Sequence, residues 1–437
     1  MKYHLTTLGC QMNVHDSEKL AGLLEALGYV KAAGEDEADL ILFNTCCVRE
    51  NPERKVLGRL TELRRRKREN PDLVIGVCGC MVQQEVQRDR LREHYPQVDL
   101  VFGTHNLHRL PEYLARVSQG ERVIEVWEDG DDPQEGVPVR RDDPLHAWIN
   151  ITYGCDNWCT YCIVPKVRGR CRSRAAEKIV DEVREVVAGG VREVTLLGQN
   201  VNAYGLDLPQ GPDFAGLLWL VNGVDDLWRI RFTTSHPKDM SERLIEALAG
   251  ADKVCEHLHL PLQAGSARVL ARMNRGYSSD DYLRLVERIR QSVPEIALTT
   301  DLIVGFPGET EEDFAETLRV VREVGFDAAF TFVYSPRTGT PAASYLDQVP
   351  EPVKKERIAR LIELQESISA AHSRALLGQR VEVLVEGVSK TNPENLSGRT
   401  RTNKLVHFPG QADLTGRLVW VEVTGTHPWT LDGRIVE

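Results

Sequence analysis

The sequence lacks any apolar run of about 18 residues, which is roughly what a membrane-spanning helix needs. Its first residues, MKYHLTTLGCQMN, lack the apolar segment of a secretory signal peptide. An excess of positive charge is missing as well, since the 437 residues carry a formal charge of -11 and the pI is near 5.7. We therefore expect a cytoplasmic protein that contacts no membrane and binds any nucleic acid through a local surface.

Disulfide bonds are also not expected, although the chain has ten cysteines. A reducing compartment keeps thiols free, so metal binding becomes the first alternative for so many cysteines. The sequence has no low-complexity tract, and its length predicts two to three folded domains.

The order of apolar and amphipathic segments divides the chain into four parts. Residues 1–117 alternate short apolar runs with helical patterns, which predicts a doubly wound α/β domain. Residues 118–143 are a linker, whose segment 128–136 (EDGDDPQEG) is acidic and contains Pro and Gly. Residues 144–371 hold six strand-then-helix repeats, which predict a partial TIM-type (β/α)6 barrel, and residues 372–437 alternate with period two, which predicts a small all-β domain.

A cysteine loop follows the first strand of the predicted barrel. In YGCDNWCTYCIVP, Cys155, Cys159 and Cys162 have the spacing CxxxCxxC. Three thiolates on one loop leave one iron of a 4Fe-4S cluster without a protein ligand, whereas structural zinc sites normally use four ligands. A zinc site completed by Cys171 or a distant His is the alternative.

Three further cysteines each come just after a predicted parallel strand. Cys10 follows YHLTTL, Cys46 follows DLILFN and Cys80 follows LVIGV. Because the carboxyl ends of parallel strands share one edge, these thiols can converge although they are far apart in sequence. Buried core cysteines remain the alternative explanation.

The CxxxCxxC loop, with Tyr161 before its last cysteine, resembles the signature of the radical S-adenosylmethionine (SAM) superfamily. The resemblance implies that SAM chelates the open iron of a 4Fe-4S cluster and is cleaved to a deoxyadenosyl radical. It also implies SAM contacts at later strand ends, which all share the top face of the barrel. These candidates are Gln199, Asn200, Ser235, His236, Gln263, Asp301 and Gly305.

The motifs LGCQMNVHDSE, NTCCVRE and GVCGCMVQQE resemble the amino-terminal domain of the methylthiotransferases within that superfamily. The resemblance implies that Cys10, Cys46 and Cys80 hold a second 4Fe-4S cluster. Cys46 rather than Cys47, and Cys80 rather than the cysteine two residues earlier, match the ligand positions of that family. The remaining four, Cys47, Cys78, Cys171 and Cys255, match no ligand position and are expected to be ordinary thiols.

Contacts with RNA are implied by the last domain, because LSGRTRTNKLVHF resembles the TRAM module of RNA-modifying enzymes. Its candidate phosphate contacts are Arg399, Arg401 and Lys404. A basic segment directly after the cysteine loop, KVRGRCRSR, adds Arg168 and Arg174. A second basic run at 54–68 is more typical of a solvated helix face.

Within the methylthiotransferases, NTCCVRE, LLGQNVNAYG, TTSHPKD, HLPLQAGS and RMNRGYS most resemble the branch acting on transfer RNA (tRNA). This implies sulfur insertion and methyl transfer at C2 of N6-isopentenyladenosine at position 37, with two 4Fe-4S clusters and SAM as cofactors and no side-chain acid or base. The implied partners are tRNA, a reductant such as flavodoxin or ferredoxin, and an Fe-S or sulfur donor protein, and we expect a monomer.

Four alternatives remain. Two are relatives that act on threonylcarbamoyl-adenosine tRNA or on an aspartate of a ribosomal protein. The others are a non-catalytic Fe-S protein that binds RNA, which would form no deoxyadenosine from SAM and reductant, and a colourless zinc protein.

Overall fold

The computed structural model describes residues 1–47, 50–130 and 135–436. Val48 and Arg49 of the NTCCVRE motif, and residues 131–134 of the predicted linker, lie outside the described residues. Within the described part of the chain, no helix is long and apolar enough to cross a membrane.

The amino-terminal domain is a six-stranded parallel sheet with helices on both faces. Its strands are β1 (Lys2–Leu8), β2 (Val30–Lys31), β3 (Leu40–Thr45), β4 (Val74–Gly79), β5 (Leu100–Phe102) and β6 (Val123–Glu125), and its helices are α1 (Gln11–Ala26), α2 (Glu50–Glu69), α3 (Glu85–His94) and α4 (Leu110–Ser118). The strand order is β2-β1-β3-β4-β5-β6, so the chain adds β2 on one side of β1 and β3 to β6 on the other, although all strands are parallel. Helices α1 and α4 pack on one face, and α2 and α3 on the other. The predicted doubly wound domain is confirmed.

The central domain is an open barrel of six parallel strands in two three-stranded sheets. Its strands are β7 (His146–Asn150), β8 (Thr152–Tyr153), β9 (Arg172–Ser173), β10 (Glu193–Leu197), β11 (Arg229–Thr233), β12 (His257–His259), β13 (Ala297–Val304) and β14 (Ala328–Val333), of which β8 and β9 form a separate small hairpin. The sheet orders are β7-β10-β11 and β12-β13-β14. A bridge between Ile230 and Val254 connects them. The predicted partial barrel is confirmed.

The helices of the central domain cover the outside of these strands. They are α5 (Val164–Val167), α6 (Ala176–Ala188), α7 (Phe214–Asn222), α8 (Glu242–Gly250), α9 (Ala267–Arg272), α10 (Ser279–Ser292), α11 (Glu311–Val324) and α12 (Glu351–Ala375). Local sequence sets their ends: α10 begins with a Ser278–Asp281 capping box and α11 with a Thr310–Asp313 box. Gly325 ends α11 in the left-handed conformation that glycine favours.

The carboxyl-terminal domain is a closed five-stranded barrel. Its strands are β15 (Arg380–Val388), β16 (Asn395–Thr400), β17 (Leu405–Pro409), β18 (Leu418–Thr426) and β19 (Thr430–Val436). The apolar alternation reveals only β15, β17 and β18. Strands β16 and β19 escape it because polar residues and a glycine interrupt both.

This small barrel closes the amino-terminal end of the central barrel. Arg229, at the start of β11, is fully buried and donates to the carbonyl oxygen of Arg399 at 2.7 Å and to the Glu382 carboxylate at 2.7 Å. Arg231 donates to the carbonyl oxygens of Thr400 and Arg401. The carboxyl ends of the central strands are therefore left to face the amino-terminal domain.

Candidate functional site

A cavity of about 1430 Å³ opens where the carboxyl ends of the central strands meet the amino-terminal domain. Five of the six predicted cluster ligands line it: Cys10, Cys46, Cys155, Cys159 and Cys162. The cavity continues down the barrel as far as the carboxyl-terminal domain. The fold thus brings two cysteine groups, separated by at least 75 residues in sequence (Cys80 to Cys155), to the same region.

The cysteine loop lies against the segment that follows α9. The backbone N–H of Thr160 donates to the Met273 carbonyl at 3.0 Å, and its hydroxyl donates to the Arg272 carbonyl at 2.9 Å. Asn274 donates its side-chain amide to the Trp158 carbonyl at 2.9 Å. These bonds fix the loop backbone on both sides of Cys159.

Burial controls the protonation of this loop. It raises the pKa of Cys155, and it raises the pKa of Cys162 to about 12. Both are therefore thiols at neutral pH unless a metal binds them, because a bound cation stabilises the thiolate. Nη1 of the buried Arg275 donates a hydrogen bond to the sulfur of Cys159 at 3.3 Å.

The second cysteine group lies at the point where the amino-terminal sheet reverses its strand order. Cys10 follows β1 and Cys46 follows the adjacent β3, and such a switch point is where open α/β sheets bind ligands. Asn13 fixes this corner: its Oδ1 accepts from the Cys10 backbone N–H, and its Nδ2 donates to Asn44 Oδ1 at 3.1 Å. The pKa of Cys10 is lowered to about 6, chiefly by a hydrogen bond from Cys46.

Cys80 follows β4 and lies behind the cavity wall. Its sulfur accepts from Nε of Arg168 at 3.2 Å, and Nη2 of the same arginine bonds to Asp16 at 2.6 Å. A hydrogen bond from Cys47, followed by the charge of Arg168, holds the pKa of Cys80 below its usual value. Cys47 is buried beside Cys80, whereas Cys46 lines the cavity, which supports the choice of Cys46 as ligand.

Cys78, Cys171 and Cys255 lie outside both cysteine groups, and Cys171 is half-buried. Cys78 lies on β4 and belongs to the apolar core beneath α1 and α4, and Cys255 is buried just before β12.

The cysteines fit clusters better than a single ion. Among residues 1–47, 50–130 and 135–436, no three His, Cys, Asp or Glu side chains stand close enough to hold one metal ion. The ligands of a 4Fe-4S cluster bind different irons and need not meet at one point. Each cysteine group has three members, of which at least two line the open cavity, and this arrangement fits a cluster with one iron left for another ligand.

Six of the seven predicted SAM positions line the same cavity. They are Gln199, Asn200, Ser235, His236, Gln263 and Asp301. Three of them present buried polar atoms that have no hydrogen-bond partner among the described residues: Asn200 Oδ1, Ser235 Oγ and His236 Nε2. Unpartnered buried polar atoms are costly, so their grouping at one wall fits a polar ligand such as SAM.

His236 is held in one neutral tautomer. Its Nδ1 accepts from the backbone N–H of Lys238 at 3.2 Å, which leaves the proton on Nε2. Burial, with help from Arg275, lowers its pKa to about 2. At neutral pH, Nε2–H can therefore donate a hydrogen bond into the cavity.

Gly305 is the exception among the predicted SAM positions, because it does not line the cavity. Its backbone N–H donates to Glu309 Oε1 at 2.9 Å, and that carboxylate is paired with Arg357. Its φ is +73°, and a Cβ there would lie 2.4 Å from Lys354. The turn itself explains this glycine.

The predicted RNA contacts are all engaged inside the protein. Arg168 and Arg174 are buried, the first with Asp16 and the second with Glu135 and Glu182. RNA contact by either stays a prediction that requires a buried ion pair to open.

The three candidates of the last domain are also paired. Lys404 binds Asp327 at 2.8 Å and Arg401 binds Glu256 at 2.7 Å, so both attach the small barrel to the central one. Arg399 pairs with Glu386 at 3.3 Å but stays partly exposed. RNA contact by these three stays a prediction as well.

Sequence reasoning did not identify the contact of Arg275 with Cys159, and it assigned Arg168 to RNA rather than to Cys80. Arg275 lies in the RMNRGYS motif, but nothing in that motif indicates that its side chain reaches a cysteine 116 residues earlier. Only the docking of the cysteine loop on this segment reveals the contact.

Three known domain families match successive parts of the chain. Residues 2–103 match Uncharacterized protein family UPF0004, residues 149–321 match the Radical SAM superfamily, and residues 374–436 match the TRAM domain.

Full-length relatives are similar over the whole chain. A protein of Carboxydothermus hydrogenoformans named tRNA-2-methylthio-N(6)-dimethylallyladenosine synthase is 57% identical over 99% of both chains. A protein of the same name from Thermoanaerobacter sp. is 53% identical over 100% of this chain and 93% of its own.

Among solved structures, the radical SAM methyltransferase TsrM from Kitasatospora setae matches with a TM-score of 0.55. It is 16% identical over 78% of this chain and 77% of its own. The cobalamin-dependent radical SAM enzyme OxsB matches with a TM-score of 0.52 and 13% identity over 84% of this chain and 56% of its own. At these identities the likeness supports the fold alone.

Proposed function

The chain belongs to the family of the tRNA-2-methylthio-N(6)-dimethylallyladenosine synthases, which are radical SAM methylthiotransferases, and on that premise we propose that it converts N6-isopentenyladenosine at position 37 of tRNA to its 2-methylthio form. One observation carries the proposal. Cysteines from two domains border one cavity, so a radical-forming site and a sulfur-donating site can both reach the same substrate carbon.

Cys155, Cys159 and Cys162 would hold one 4Fe-4S cluster, and Cys10, Cys46 and Cys80 the other. When bound, the two clusters and two molecules of SAM supply hydrogen abstraction from C2 of the adenine, a sulfur atom and the methyl group. In the overall reaction the hydrogen of C2 would pass to deoxyadenosine, the first SAM would also release methionine, and the second SAM would give its methyl group to the sulfur and become S-adenosylhomocysteine. The C2–S bond would form as the bond that held the sulfur breaks, and the one electron released would be taken up by the cluster that Cys10, Cys46 and Cys80 hold. The electron that cleaves SAM comes from an external reductant.

The protein's own side chains would position SAM in the cavity. Nε2–H of His236 donates into the cavity, and Asn200 Oδ1 accepts there, so the wall offers one donor and one acceptor to the amino acid and ribose parts of SAM. The low pKa of His236 keeps this donor pattern unchanged at physiological pH. No carboxylate or histidine of the wall is needed as a proton carrier, because the hydrogen leaves C2 as an atom.

The partners follow from this chemistry. We propose tRNA as the substrate, a flavodoxin or ferredoxin as the electron donor, an Fe-S or sulfur donor protein for renewal of the transferred sulfur, a monomeric state and a cytoplasmic location.

The test is anaerobic reconstitution with iron, sulfide, SAM and a reductant, using tRNA that carries isopentenyladenosine. Mass spectrometry of the digested RNA should show a methylthio gain together with deoxyadenosine. Deoxyadenosine without that gain contradicts the substrate, and threonylcarbamoyl-adenosine tRNA and the ribosomal protein are then the substrates to examine. Absence of deoxyadenosine contradicts the radical assignment.

A further inference from the structure

Two buried arginines each donate a hydrogen bond to a cysteine sulfur, one in each cysteine group. Arg168 Nε lies 3.2 Å from Cys80 Sγ, and Arg275 Nη1 lies 3.3 Å from Cys159 Sγ. Both side chains are nearly inaccessible, with 4% and 5% of each residue exposed. Two other proposed ligands have different neighbours, since the sulfur of Cys10 contacts Asn13 Oδ1 at 3.5 Å and the sulfur of Cys155 accepts from the backbone N–H of Asn157 at 3.4 Å.

We propose that Arg168 and Arg275 are positioning residues that set the reduction potentials of the two sites separately, Arg168 through Cys80 and Arg275 through Cys159. The inference rests on the ligand assignment of the proposed function. A donor on a ligand sulfur and a nearby positive charge both favour the reduced, more negative state, so each arginine makes its own site easier to reduce.

The two arginines differ in net charge. Arg168 is paired with Asp16 at 2.6 Å, and both side chains are 4% exposed, so the pair is close to neutral. The other bonds of Arg275 go to neutral oxygens, the hydroxyl of Tyr277 at 3.1 Å and the carbonyl of Pro261 at 3.1 Å. Among the described residues no carboxylate forms an ion pair with Arg275. Arg275 therefore brings a full positive charge to its site and should have the larger effect.

The arginines also differ in what they connect. Arg168 ends α5, six residues after Cys162, yet its side chain contacts α1 and the loop after β4 in the other domain. It therefore also fixes the amino-terminal site relative to the cysteine loop. The hydrogen bonds of Arg275 go to residues of the central domain, and the segment before it is hydrogen-bonded to the cysteine loop.

The experiment measures each site alone in the full-length chain. In one background Cys10, Cys46 and Cys80 are replaced by Ala, and in the other Cys155, Cys159 and Cys162 are replaced. Arg168→Gln and Arg275→Gln are introduced into each background, and the remaining 4Fe-4S cluster is titrated by electron paramagnetic resonance under controlled potential. Arg174→Gln is the matched control, since Arg174 is equally buried and ion-paired but bonds to no sulfur.

The expected result is a crossed pattern. Arg275→Gln lowers the equilibrium constant for one-electron reduction of the cluster in the central domain by about tenfold, or about 59 mV, and leaves the other cluster unchanged. Arg168→Gln lowers this equilibrium constant only for the amino-terminal cluster, and by a smaller factor. Arg168→Lys and Arg275→Lys should each cause a smaller change than the corresponding Gln variant, because lysine retains the positive charge. Arg174→Gln changes the reduction potential of neither cluster.

Three results overturn the inference. The first is an unchanged potential of the amino-terminal cluster in Arg168→Gln and of the central cluster in Arg275→Gln. The second is an equal shift of both clusters by one substitution. The third is loss of the cluster in both the Gln and the Lys variant, which would make the arginine a residue needed for folding. A failure of the proposed function looks different, because then the two alanine backgrounds with intact arginines do not each keep one cluster.

Discussion

Lys19 of α1 donates a hydrogen bond of 2.8 Å to the hydroxyl of Tyr153, two residues before the cysteine loop. Both residues are buried, at 5% and 8% exposure, although 134 residues separate them in sequence. A buried ammonium needs such a partner. The contact therefore ties the helix that begins at Cys10 to the strand that leads into Cys155, and with Arg168 it fixes the distance between the two cysteine groups.

The first prediction concerns this contact. Tyr153→Phe leaves the Lys19 ammonium without its hydroxyl partner and should lower the free energy of unfolding by about 1–3 kcal/mol. Lys19→Met combined with Tyr153→Phe removes both polar groups and should be less destabilising than Tyr153→Phe alone. Urea denaturation of Tyr153→Phe, Lys19→Met and the double variant, followed by circular dichroism, provides the comparison. An additive loss in the double variant would show that the bond contributes nothing.

The second prediction concerns the amino-terminal cysteines. Replacement of Cys10, Cys46 and Cys80 by Ala should remove roughly half of the iron, which is one of two clusters. Deoxyadenosine formation should persist while methylthiolation stops. Iron analysis and mass spectrometry of products are the measurements, and Cys78→Ala is the control, since Cys78 lies in the apolar core. Methylthiolation by the triple variant would refute the assignment of the sulfur site.

The location of the cysteines could be predicted because it depends on local order. Cys10, Cys46 and Cys80 each follow a short apolar run, and parallel strands place their carboxyl ends at one edge. The family resemblance proposed Asn200 and His236, and their positions after predicted strands placed both at the top of the barrel, where they line the cavity.

The contacts between domains could not be predicted. A basic residue in a loop has the same sequence signal whether it meets RNA phosphate or a buried carboxylate, and for Arg168 and Arg401 the partners, Asp16 and Glu256, lie 152 and 145 residues away. Gly305 shows the same limit, because both a ligand approach and a tight turn favour glycine. Only the folded structure separates these causes.

The third prediction is a pH dependence of stability. The pKa of His236 falls from 6.5 to about 2 on folding, mainly through burial. Between these values the unfolded state binds a proton that the folded state does not, so this histidine lowers stability as the pH falls below 6.5. The slope is at most about 1.4 kcal/mol per pH unit.

His236→Asn should reduce that acid sensitivity between pH 6 and pH 4.5, in denaturation measured without SAM. His94→Asn is the control, because the His94 side chain is exposed. Equal pH dependence of wild type and His236→Asn would mean that the buried imidazole is not kept neutral.

The last prediction concerns the attachment of the small barrel. The Arg401 guanidinium binds both carboxylate oxygens of Glu256 at 2.7 Å and also donates to the carbonyl oxygens of Asp252 and Val254. Lysine cannot reproduce this fork, so Arg401→Lys should weaken the interface by about 1–3 kcal/mol. Faster hydrogen exchange in residues 252–256 and 395–409 would report the loss.

Arg434→Lys is the matched control, since Arg434 pairs with Glu422 on the exposed face of the same barrel, where an ion pair contributes about 0–1 kcal/mol. The functional consequence should be selective. If the small barrel aligns tRNA with the cavity, Arg401→Lys raises the KM for tRNA, while deoxyadenosine formation without tRNA is unchanged because no cavity cysteine moves. An equal loss of both activities would instead mean that the small barrel supports the central barrel itself, as its closure of the amino-terminal end through Arg229 also allows.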